Sequence, residues 1–259
     1  MDPIHRYGDV SVVAGDDLVA TVELHRPPNN HFDLALIASL ADAFEAIDRE
    51  GELRAIVLCA EGKHFCAGAD FGGRDGGVAA GPRHLYEEAI RLFAARTPVV
   101  AAVQGAAIGG GLGLALAADF RVASPEARFA ANFARLGFHH GFGLTVTLPA
   151  LVGQQRALEL LYTGRRVPGE EALRIGLCDR LAPAEELRAQ AHALAAEIAG
   201  SAPLAVRSIR ETMRGDLAER VRAALVRERA EQERLNRTDD FREGVRATAE
   251  RREPRFGGR

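Results

Sequence analysis

The sequence predicts an α/β domain that ends in an all-helical segment. Three observations carry this expectation. Short apolar runs of strand length, 55–59 and 99–103, alternate with stretches whose apolar residues recur every three or four positions. The N-terminal segment alternates in the manner of a half-buried strand. From Glu185 onward every periodic stretch is helical.

In chain order, Leu18, Ala20, Val22 and Leu24 share one strand face, with Val19, Thr21 and Glu23 on the other. Pro27-Pro28-Asn29-Asn30 ends that strand in a turn. Leu36, Leu40, Phe44 and Ile47 fall at helical spacing and predict an amphipathic helix over 34–49. Ala55 to Cys59 is continuously apolar, as a strand covered on both faces requires. A glycine-rich loop (68–81) leads to a charged helix near 83–95 and then Pro98. Val99 to Val103 is the next buried strand, followed by a glycine-rich turn, a helix over about 111–118 and a strand at 120–123. Leu187, Ala191, Leu194 and Ile198 form one helical stripe, broken at Gly200-Ser201-Ala202-Pro203. Residues 204–259 read as helix throughout, rich in arginine and glutamate and poor in large apolar side chains. The expected division is therefore a core over 1–200 and a helical C-terminal unit over 201–259.

Composition narrows the function classes. The 259 residues are 47% hydrophobic and 27% charged, enough to build a full core and too ordered a mix for a disordered chain. The formal charge of −3 gives no field for nucleic acid or an anionic membrane. Arginines of the tail are interleaved with Glu211, Glu219, Glu228, Glu231 and Glu233, the pattern of a solvated helix. Thr97 to Ala118 is uncharged and long enough to span a bilayer, yet the Gly109–Gly111 triplet interrupts it, so a buried strand, turn and helix fit better. Cys59, Cys66 and Cys178 form no CxxC pair; reduced thiols in a cytoplasm are expected. Two adjacent histidines such as His139 and His140 usually point in different directions and are a poor metal pair on their own, so no metal is expected.

Two glycine-bearing segments follow the buried strands. They are Gly62-Lys63-His64-Phe65-Cys66-Ala67-Gly68-Ala69-Asp70 and Gln104-Gly105-Ala106-Ala107-Ile108-Gly109-Gly110-Gly111-Leu112-Gly113. Small residues at a strand's end let backbone N–H groups approach a ligand. A helix opening at the triplet would turn its positive end on an oxyanion. Together they resemble the enoyl-CoA hydratase/isomerase (crotonase) superfamily: Phe65 to Asp70 is similar to its FxAGAD signature, and Gly105 to Gly111 to its G-x-x-x-GGG segment. Arg26-Pro27-Pro28-Asn29 looks like the family's first turn. Phe241-Arg242-Glu243-Gly244 and Arg251 to Phe256 resemble its C-terminal helix and tail.

The resemblance implies a spiral core of ββα turns with an α-helical C-terminal oligomerisation domain, and a homotrimer or a hexamer of stacked trimers. It implies an acyl-CoA substrate, with coenzyme A part of the substrate and no separate cofactor. It places the thioester oxygen on the N–H groups of Ala69 and Gly110, with Ala67 beside the adenine. Asp70 and Asp119 are expected to cap turns. Where hydratases of the family carry their two glutamates this chain has Gly113 and Phe133, and where some relatives carry an aspartate it has Gly141. His140 and His139 stand nearest the Gly141 position and are the expected substitutes as base. His64 is a lesser candidate for reaching the coenzyme. Phe133, Phe138 and Phe142 suggest an apolar acyl pocket. Two functions remain open: an enzyme of this family with a different acid/base group, or a non-catalytic acyl-CoA binding or carrier protein.

Overall fold

A computed structural model describes residues 5–69 and 84–259. Asp70 and most of the 68–81 loop lie outside them. A seven-stranded sheet has the spatial order β1 (His5–Tyr7), β2 (Val10–Ala14), β3 (Val19–Leu24), β4 (Ala55–Ala60), β5 (Val99–Val103), β7 (Phe120–Ala123) and β10 (Arg180–Leu181). The first three strands pair antiparallel and the rest parallel. A smaller sheet contains β6 (Ala106–Ile108), β8 (Arg128–Ala130) and β9 (Val167–Pro168). The chain therefore winds in repeated turns: large-sheet strand, small-sheet strand, helix. β5, β6 and α3 (Gly110–Ala117) make one turn; β7, β8 and α4 (Leu144–Val152) make the next.

The apolar runs have the cause expected of them. Alternate residues of β4 enter two different cores: Ile56, Leu58 and Ala60 join the main one, while Ala55, Val57 and Cys59 join a second. Helix α7 (Leu187–Ala199) covers that second face with Leu187, Ala191 and Leu194. On the main face lie α1 (Leu34–Glu50), which Asp33 caps by accepting the Leu36 N–H at 2.9 Å, and α2 (Leu85–Ala94). Helices α5 (Gln154–Thr163) and α6 (Gly169–Ile175) complete the core. No helix among the described residues is long and apolar enough to cross a membrane.

Beyond residue 200 the expected uninterrupted helix is corrected. Three helices occur, α8 (Pro203–Arg214), α9 (Leu217–Leu235) and α10 (Asp239–Ala249), and the last residues are not helical. The chain instead folds back: the Gly257 and Gly258 N–H groups donate to the Asp240 carboxylate at 2.6 and 2.8 Å. Glycine and proline there disfavour helix, and the carboxylate at the start of α10 supplies other acceptors. Helix α9 buries Val221 and Leu225 in the main core, packing on α2 and α4. Helix α8 buries no residue and exposes Leu204, Ile209 and Met213.

Asp119 does more than cap a turn. It accepts the Val99 N–H at 2.8 Å and binds Arg210 and Arg214 of α8 at 3.0 and 2.7 Å, tying the tail to the sheet. Against the penalty of burial, Arg214 and Arg210 hold its carboxyl below the usual range. Asp119→Ala would strand two largely buried guanidinium groups. It is expected to destabilise the fold by about 3–5 kcal/mol in a denaturant titration.

Candidate functional site

The site is built where two strand ends run side by side. The turn after β3 is locked by Asn30, whose Nδ2 donates to the Glu61 and His64 carbonyls at 2.7 and 2.6 Å. The segment leaving β4 then pairs parallel with β6 through Cys66 and Ala107. The Cys66 N–H donates to Ala106 O and the Ile108 N–H to Cys66 O, at 2.9 and 3.1 Å. Beyond that pairing the two chains run on to Ala69 and Gly110, which line the same cavity. Gly109 makes the turn with φ +57°, and α3 starts at Gly110. Gly111 has no substitute, because a Cβ there would lie 2.2 Å from Cys66 O. His64, far from free, accepts the Ala106 N–H on Nδ1 at 3.1 Å and fixes the start of β6.

Ala67, Ala69 and Gly110 line one cavity of about 180 Å³, together with Phe133 and Phe138. Among the described residues neither the Ala69 nor the Gly110 N–H is used by another backbone carbonyl. Both are therefore available to an incoming oxygen, with the first turn of α3 adding its positive end. Much of the rest of the wall is apolar, with Phe32, Leu85, Leu136 and Phe142 in it. In such surroundings a hydrogen bond to a developing oxyanion is worth more than in water. The polar side chains of the wall are His31, Tyr86, Asn132, Gln232 and Thr248.

The three positions where the resemblance looks for acids are filled by other groups. Gly113 does not line the cavity, and a Cβ on it would sit 2.5 Å from that of Phe142, whose side chain takes the space. Phe133 contributes its ring to the wall and stacks obliquely on Phe138 at 5.4 Å between centroids. At Gly141 a Cβ would meet the Tyr86 hydroxyl at 1.9 Å and the Gln232 amide nitrogen at 2.6 Å.

The two histidines are not among the residues that line the cavity. They stack on each other, with centroids 4.1 Å apart. His139 Nδ1 donates to the His140 carbonyl at 2.7 Å, and His140 Nε2 bonds Thr145 Oγ1 at 2.9 Å. Burial, with His139 alongside, pulls the His140 imidazole down to about 4, so it is neutral at pH 7. Behind it Glu228 of α9 is fully buried and accepts from the Gly143 and Thr145 N–H groups and the Thr145 hydroxyl, at 2.9, 3.0 and 2.5 Å. That is a cap for the start of α4, and burial pushes the Glu228 carboxyl up. Cys66 is likewise inert: burial pushes its thiol up to about 12. Among the described residues no three His, Cys, Asp or Glu side chains gather as a metal site.

Sequence reasoning did not find Tyr86, Gln232, His31, Asn132 or Thr248. No local signal could have found Gln232, which lies in a run of charged residues 146 positions from the tyrosine it bonds. The space at Gly113 yields a test. Gly113→Glu is expected not to create hydratase activity, and to destabilise the protein by about 1–3 kcal/mol or more, because the new side chain must displace Phe142 from a packed core. Thermal unfolding and a hydration assay check both halves.

Comparison with known proteins agrees with this geometry. Residues 15–259 match the family model described as Enoyl-CoA hydratase/isomerase. The chain is 33% identical over 254 residues to a Bacillus subtilis (strain 168) protein named "Probable enoyl-CoA hydratase", covering 95% of this chain and 98% of that one. It is 35% identical over 249 residues to one of the same name from Rhodobacter capsulatus, covering 93% and 95%. Among solved structures, an enoyl-CoA hydratase/isomerase from Pseudoalteromonas atlantica T6c superposes with a TM-score of 0.88 at 31% identity, over 96% of this chain and all of that one. Sequence, fold and the placing of the two glycine-bearing segments thus converge, and the chain belongs to the enoyl-CoA hydratase/isomerase family.

Proposed function

We propose that this protein binds acyl-CoA thioesters and stabilises an enolate-type oxyanion on the N–H groups of Ala69 and Gly110. One observation carries the reading: Ala69 and Gly110 line the same largely apolar cavity, and among the described residues neither N–H has a backbone partner. In this reading Ala67 borders the coenzyme side, Phe133 the acyl side, and coenzyme A belongs to the substrate. Fixed donors of this kind contribute ~10²–10³ in rate each.

The reaction is not ordinary hydration in this proposal. Hydration needs one group to activate water and another to protonate the α-carbon. In this reading Gly113 and Phe133 stand at the positions of the hydratase glutamates; Phe142 packs against the first, and Phe133 lines the cavity, which supports the loss of both acids. His140 and His139 are tied to Thr145 and to backbone, which argues against their serving as replacement bases. A second reading, a non-catalytic acyl-CoA carrier, is favoured by the same apolar filling. Three buried free cysteines fit a reducing compartment such as the cytoplasm.

Assembly into a homotrimer or hexamer is part of the proposal. Helix α8 supports it, with Leu204, Ile209 and Met213 exposed by 79%, 62% and 79%. A trimeric or hexameric mass by light scattering is expected; a monomer across micromolar concentrations removes this part.

Calorimetry is expected to detect binding of acyl-CoAs. Ala69→Pro is expected to weaken it about tenfold, as losing one hydrogen bond to a polarised oxygen implies. Turnover of crotonyl-CoA is expected far below ~10 s⁻¹. Ordinary hydratase rates would overturn the assignment of the acid positions, and turnover of any other acyl-CoA would exclude the carrier.

A further inference from the structure

The volume left by Gly141 is not empty, and what fills it is chemically active. The Tyr86 hydroxyl and the Gln232 amide meet there, 1.9 and 2.6 Å from where a Cβ of residue 141 would stand. A carboxylate on residue 141 and the Tyr86 hydroxyl would therefore compete for the same space. Tyr86 comes from the first turn of α2 and Gln232 from α9, so this group has been assembled from two helices remote in sequence. Both side chains line the cavity that holds the Ala69 and Gly110 N–H groups.

From this juxtaposition we propose that Tyr86 is the catalytic proton donor of the cavity and Gln232 its positioning residue. The inference rests on the oxyanion reading given above. Gln232 is held by a bond from its Nε2 to the His139 carbonyl at 3.0 Å, which turns its Oε1 toward Tyr86. The hydroxyl donates to that oxygen at 2.6 Å. The oxygen is thus located by Gln232, while its proton can swing about the Cζ–Oη bond from Gln232 to the substrate. In the step itself the O–H bond breaks and a C–H bond forms at the α-carbon of the enolate. The enolate's negative charge is thereby discharged and the thioester carbonyl restored. The electron pair of the O–H bond stays on Tyr86 as a phenolate, and a water molecule returns the proton, leaving hydroxide.

Two further observations agree. Burial and the nearby Glu228 push the phenol above its ordinary range, so it enters the step protonated and acts as an acid. The residue is only 8% exposed, so little bulk water competes with it for the α-carbon. Of the other polar side chains in the wall, Asn132, Thr248 and Gln232 are poor acids, which leaves His31 as the rival donor.

The test is turnover of the full-length protein on a panel of acyl-CoAs in D₂O, with deuterium at the product α-carbon read by mass spectrometry. Tyr86→Phe, which keeps the ring, is expected to lower kcat by ~10²–10⁴ while the dissociation constant for acyl-CoA stays within about threefold. Gln232→Leu leaves the hydroxyl in place but loose. It is expected to lower kcat about tenfold with KM unchanged, a split that general loss of structure would not give. Should Tyr86→Phe fail to fold, the Gln232→Leu split decides. Tyr86→Phe turning over within about threefold of the parent overturns the inference, as does a loss confined to His31→Asn. Binding without turnover in the parent protein overturns it too and leaves the carrier reading standing. A parent that binds no acyl-CoA ends the oxyanion reading itself, and this inference with it.

Discussion

The parallel pairing of Cys66 with Ala107 is the contact on which the site depends. It holds together two backbone segments that leave different strands of the large sheet and run on to Ala69 and Gly110 in the cavity wall. Everything near it is arranged to let the two chains approach. Gly111 has no side chain where Cys66 O passes, and Asn30 and His64 tie the flanking turns by three hydrogen bonds. A site made of backbone N–H groups needs this rigidity, because main-chain donors are positioned only by the fold.

Around those donors the wall is defined by which side chains fill which spaces. Phe142 packs where a side chain on residue 113 would go, and the Phe133 ring stands in the wall itself. Both keep the surroundings apolar, which strengthens the few polar interactions that remain and raises the cost of any unpaired charge. Within this lining the paired Tyr86 and Gln232 stand out, the first buried and the second half-buried, joined to each other and to the His139 carbonyl by hydrogen bonds. The neighbouring histidines belong to a separate arrangement, in which Thr145 and Glu228 anchor the start of α4.

The helical tail is part of this construction and not only an appendage. Helix α9 places Val221 and Leu225 in the main core, Glu228 under α4 and Gln232 in the cavity wall, all from one face. Thr248 of α10 also lines the cavity. A boundary at residue 200 follows the change in composition, but the cavity draws on both sides of it. Helix α8 differs, being attached chiefly through Asp119 and carrying its apolar residues outward.

By itself the sequence determined the periodic elements and located the two glycine-bearing segments that line the cavity. Strand runs such as 99–103 and the stripe of 187–198 are legible because a buried face imposes a repeat that burial on folding then satisfies. The glycine-bearing segments are legible because only small residues permit close approach of backbone to backbone or ligand. The strands of the small sheet were not legible: at two or three residues they are too short to show a repeat. Nor was the meeting of the Tyr86 hydroxyl and the Gln232 amide at Gly141, or the diversion of His139 and His140 away from the cavity wall. Those outcomes depend on side chains such as Tyr86 and Gln232 meeting across more than a hundred residues, and a periodic pattern carries no information about which distant groups compete for one volume. Only the packed tertiary structure decides that, because two atoms cannot occupy the same space.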